Sequence, residues 1–151
     1  MRSHSRWTAA ALVLTIMPAT PALAEDRLQF TFTNRMPASL AGKGVVDEIA
    51  GSAVVASGQS GDLYGPFPTE GSGGHIIKTR DVHFQHRTAL SPVYCSWRVS
   101  ITVNLRCDGV VTCSQYWSCA IVSQRAEQAG IGCDGKAQVQ GVGCRFTFEI
   151  D

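Results

Sequence analysis

The chain has 151 residues, with 13 basic and 12 acidic side chains and six cysteines. The charges nearly cancel and the basic residues stand singly from Arg27 to Arg145. That pattern argues against a nucleic-acid partner, because such proteins cluster Lys and Arg to displace counterions from phosphates. The length fits one domain with a single core.

Arg2, His4 and Arg6 open the chain, Thr8 to Met17 is almost wholly apolar, and Pro18 and Pro21 precede Ala22-Leu23-Ala24. This order of basic, apolar and small residues predicts a signal peptide over residues 1–24, cleaved near Ala24. The apolar run is far short of the ~20 residues that span a hydrocarbon core. The expected mature domain, residues 25–151, is therefore secreted or periplasmic. Losing Arg2 and Arg6 takes its basic residues from 13 to 11, against 12 acidic ones.

In the first stretch of that domain, Leu28, Phe30 and Phe32 alternate with Gln29, Thr31 and Thr33, the two-residue period of a strand with one buried face. Residues 35–74 are rich in Gly, Ala, Ser and Pro, with Gly-Pro-Phe-Pro at 65–68 and Gly-Ser-Gly-Gly at 71–74. A loop that long usually hides short strands or has a job. Within it, Val45 to Ala50 reads as a short helix.

A further strand is expected over 76–86, and the clearest of all over 94–107. Cys95, Trp97, Val99, Ile101, Val103, Leu105 and Cys107 fall on one face, and Ser96, Arg98, Ser100, Thr102, Asn104 and Arg106 on the other. No helical period fits that run. Asp108-Gly109 then predicts a two-residue hairpin turn into a strand at 110–113, with another at 118–123. Cys133-Asp134-Gly135-Lys136 repeats the turn signal, and a bulge near Gly141 to Gly143 would bring 137–150 into one last strand. The predicted fold is all-β, a single antiparallel sandwich-like domain stabilised by disulfides.

The cysteines, at 95, 107, 113, 119, 133 and 144, are even in number, and export would place them where thiols oxidise. No pair has the close spacing of a zinc site, so disulfides rather than a metal are expected. A continuous strand holds Cys95 and Cys107 about 40 Å apart, well beyond bonding reach, which leaves about twelve of the fifteen connectivities. A two-residue turn at Asp108-Gly109 would set Cys113 opposite Asn104, so Cys107–Cys113 is also disfavoured and Cys113–Cys119 becomes the natural bond. That bond would close a loop presenting Tyr116 and Trp117, the candidate binding residues, unless those aromatics fold back onto the core.

Catalytic signals are sparse. His83, His86 and Arg87 are the candidates, with Glu70 or Asp81 as a partner carboxylate, but a strand would send His83 and His86 to opposite faces. His83, Gln85 and Arg87 would share one of those faces. Gly58-Gln59-Ser60-Gly61-Asp62 does not match a nucleophile elbow, and no cofactor loop is present.

The leading functional expectation is a binding or inhibitory module that takes a protein or glycan partner in the envelope or extracellular space. The alternative is a small secreted hydrolase, nuclease-like, using His83 or His86. A membrane-surface role rests on the aromatic loop alone.

Overall fold

The computed structural model describes residues 27–66, 75–88, 92–109 and 112–151. The predicted signal peptide, Glu70, the Gly-Ser-Gly-Gly segment and Val110-Val111 lie outside the described residues. Nine strands follow in chain order: β1 (Arg27–Asn34), β2 (Gly42–Val46), β3 (Ala53–Val55), β4 (Gln59–Pro66), β5 (His75–His86), β6 (Val93–Asp108), β7 (Thr112–Ala126), β8 (Cys133–Val139) and β9 (Cys144–Ile150). They form a four-stranded sheet, β4-β1-β9-β8, packed on a five-stranded sheet, β3-β2-β5-β6-β7. Every pairing is antiparallel except β1 with β9, which run parallel.

The core is aromatic because the alternating apolar faces of four strands meet. Parallel register sets Phe30 beside Phe146 and Phe32 beside Phe148, with ring centroids 5.3 and 5.1 Å apart. From the opposite sheet Trp97 reaches Phe148 at 4.6 Å and Phe84 reaches Phe32 at 6.1 Å. Rings this large need room. A Cβ on Gly44 would lie 2.4 Å from the Phe32 ring, and one on Gly135 would lie 3.2 Å from the Trp97 indole.

Gly135 thereby corrects a turn expectation: it sits inside β8, paired with Phe148. The hairpin lies further on, at 140–143, where Gln140 N–H donates to the Gly143 carbonyl and Gly141 takes φ 58°. What reads in sequence as one bulged strand is thus two antiparallel strands, with Val139 opposite Cys144. The parity slip between Ala137 and Phe146 is absorbed by a chain reversal.

Residues 35–74 do hide strands, namely β2, β3 and β4. The helix expected at Val45 to Ala50 does not form. β-Branched Val45 and Val46 finish β2, and Val46 is buried. In the turn that follows, Glu48 adopts φ 64° and its carboxylate gathers Arg80 and, at 3.5 Å, Lys78 from β5. Burial lowers the Arg80 pKa below its usual value, opposed by the charge of Asp47. Ile49 packs over Gly65 of β4, where a Cβ would fall 2.3 Å from Ile49 Cδ1, so this turn plugs one end of the sandwich.

Three disulfides form: Cys95–Cys133, Cys107–Cys113 and Cys119–Cys144. The first and third cross from one sheet to the other. The expected Cys113–Cys119 bond is absent and the disfavoured Cys107–Cys113 bond is present, for one reason. Asp108 pairs with Thr112, which leaves residues 109–111 as the connection, so the returning strand is set with Cys113 directly opposite Cys107. The connection is one residue longer than the expected two-residue turn and starts one residue later, which moves the partner of Cys113 from Asn104 to Cys107.

Gly135→Val is expected to destabilise the domain by about 1–3 kcal/mol, the usual cost of forcing extra atoms into a packed core. Urea unfolding of the oxidised protein measures this; an unchanged midpoint would mean that the Trp97 contact is slack. Asn34 is fully buried, with its amide donating to the Leu40 and Val55 carbonyls and its Oδ1 accepting from Met36 N–H. Asn34→Ala is expected to cost about 1–3 kcal/mol or more, because buried backbone groups lose their partners, with the loss read as a lower melting temperature.

Candidate functional site

Strand lengths generate the most distinctive surface. β6 and β7 run for 16 and 15 residues, whereas β8 and β9 have 7 each. From Cys95 to Val103 the inward side chains of β6 are buried, but Leu105 is 44% exposed and Cys107 lies in the open. The alternation predicted for the whole run therefore persists beyond the core it serves. Residues 104–108 and 112–116 form a two-stranded arm that projects roughly 15 Å at strand rise, and Cys107–Cys113 staples it far out along its length.

Tyr116 and Trp117 lie within β7, not in a small closed loop, and so point to opposite faces. Tyr116 pairs with Asn104 on the outer face and is 54% exposed. Trp117 pairs with Val103 on the inner face and packs half-buried against the core. The two expectations for this pair divide between them: one aromatic is presented and one folds back.

The outer face of the five-stranded sheet carries the remaining candidates. His83 on β5 is registered with Ser96 on β6, and its Nδ1 lies 3.1 Å from the Ser96 hydroxyl. One pair along, Arg98 donates to both oxygens of Asp81 at 2.7 and 3.0 Å. That bidentate bond holds the Asp81 carboxyl below its ordinary pKa and raises the Arg98 guanidinium correspondingly. Ser123 and Arg125 from β7, with Glu127 just past its end, complete a shallow depression of about 360 Å³, and Arg125 faces Glu127 at 3.5 Å.

His86 is not part of this group. It follows Phe84 on the other parity and has its Nδ1 3.3 Å from the Thr88 hydroxyl. Arg87 lies past the end of β5 and is exposed, so the shared face with His83 and Gln85 is not extended to it. His75 bonds Asn104 at the root of the arm. The three histidines among the described residues are thus each engaged in a separate contact, and the carboxylate nearest His83 in sequence, Asp81, is taken by an arginine. The Asp81–Arg98 pair was missed from sequence because each residue looks like any polar member of an alternating strand until the register is known.

The arm disulfide differs from the other two in exposure. Cys95 and Cys144, one in each inter-sheet bond, are 0% and 1% exposed, while Cys107 and Cys113 are both open to solvent. Thiol reductants attack the accessible bond first. Mild reduction followed by alkylation is expected to label Cys107 and Cys113 alone, with the fold intact; labelling of all six at once would show the three bonds to be equally open.

Comparison of the chain with protein-family models, with curated proteins and with solved structures yields no match.

Proposed function

We propose that the chain is a secreted or periplasmic binding module whose sandwich presents the β6–β7 arm to a protein partner. The observation that carries this reading is the arm itself: a ribbon longer than the core requires, stapled by Cys107–Cys113 and bearing an exposed Tyr116. Rigid hairpins lose little ordering entropy on binding, and tyrosine gives a large contact area with few rotors. The disulfides accord with an oxidising compartment, and the basic and apolar start of the chain accords with export to it.

A hydrolase remains the second reading, on the strength of the His83–Ser96 contact, which places a base beside a hydroxyl. Its weakness is electrostatic. The His83 ring bonds Ser96, and Asp81, the carboxylate nearest it in sequence, is already committed to Arg98.

The two readings separate by mutation. Tyr116→Ala is expected to leave the melting temperature unchanged and to weaken retention of the partner from envelope or culture medium by about 2 kcal/mol, roughly thirtyfold. Trp117→Ala is expected to lower the melting temperature instead. His83→Ala with His86→Ala is expected to leave retention intact, whereas loss of a general base costs about a hundredfold or more in rate. Loss of biological activity in that folded double variant would transfer the function to the hydrolase reading.

A further inference from the structure

Four strands end the two sheets, and three of them are protected against pairing with another chain. β3 has only three residues. β4 carries Asp62 among Gly61, Gly65 and Pro66, and β8 carries Asp134 and Lys136 around Gly135. Short length, charge, glycine and proline are the usual means by which proteins blunt an exposed edge.

β7 is the exception. From Thr112 to Gln124 it contains no charged residue, no glycine and no proline. Its lower part is accompanied by β8, as the approach of Ile121 to Gly135 shows, and the bulge that leaves Val122 unmatched bends the strand there. Cys119 is tied to Cys144, the first residue of β9, and marks where this cover ends. Beyond it, Cys113 to Ser118 is registered with β6 on one side, and among the described residues no strand is registered on the other.

We infer that this edge of β7 pairs antiparallel with the same edge of a second copy, joining two five-stranded sheets into one across a twofold axis near Tyr116. The charge pattern selects this occupant. With the axis at Tyr116, Ser114 of one copy faces Ser118 of the other and Cys113 faces Cys119; charges of one sign set opposite each other would repel, and here no charge lies on either side. A twofold contact between identical edges also closes on itself and stops at two. The outer faces become continuous, so two Tyr116 rings would stand on one rigid surface. Edge pairing uses main-chain groups, so it holds whether or not Tyr116 contacts a foreign partner.

The test is sedimentation equilibrium of the oxidised mature chain, with amide hydrogen exchange followed as a function of concentration. The expected result is a doubling of mass, with exchange slowed along residues 113–118 as the dimer forms. Ser114 and Ser118 are exposed and would lie opposite each other across the axis. Ser114→Lys with Ser118→Lys is expected to keep the fold and remain monomeric. Mixing it with Ser114→Glu and Ser118→Glu is expected to restore a dimer of the two variants. A wild-type monomer at every concentration overturns the inference, as does a dimer that survives the lysine substitutions unchanged. A monomer in which an added extended peptide, but not a second copy, protects residues 113–118 also overturns it and assigns the edge to a foreign strand.

Discussion

Two covalent clamps between the sheets, Cys95–Cys133 and Cys119–Cys144, set the frame on which everything else is hung. Cys133 and Cys144 lie at opposite ends of the β8–β9 hairpin, so the hairpin is fastened to the long sheet at both ends. Between the clamps Trp97 is pressed on Phe148 and faces Gly135. Each clamp typically contributes about 2–5 kcal/mol in a domain of this size, largely by limiting the unfolded chain. The Cys119–Cys144 bond also lies close to where burial stops: beyond Val103 and Trp117 the side chains described on β6 and β7 are exposed, and the arm begins there.

Much of the core was legible because burial imposes a simple period. Phe30, Phe32, Trp97, Val99 and Ile101 are all buried where alternation placed them. Alternation does not report how far the opposing layer extends, so Leu105 and Cys107 read as core while lying beyond it. Asp-Gly was likewise a reliable mark of conformational freedom or small size and an unreliable mark of a turn. At 108–109 it begins a reversal, and at 134–135 it makes space for an indole.

Connectivity was the least legible feature, since it depends on the count of residues in a single turn. A connection at 109–111 in place of the expected turn at 108–109 exchanged the neighbours of Cys113 and moved Tyr116 and Trp117 from a common loop to opposite faces of a strand. Local sequence carries little information at that resolution. The same limit hid the Asp81–Arg98 pair, whose members lie 17 positions apart and meet only through the β5–β6 register.

The parallel pairing of β1 with β9 has a consequence for how the domain is made. Phe30 and Phe146 lie far apart along the chain, yet they stack at the centre of the first sheet. Contacts of such long range form slowly, because a large loop must close before any burial rewards it. During synthesis β1 emerges long before β9, and until then β4 is its one hydrogen-bonded neighbour in the four-stranded sheet. A chain with this topology gains from being held unfolded until it is complete. Passage across a membrane in extended form would impose that delay, and oxidation of the cysteines on the far side would then record the finished arrangement.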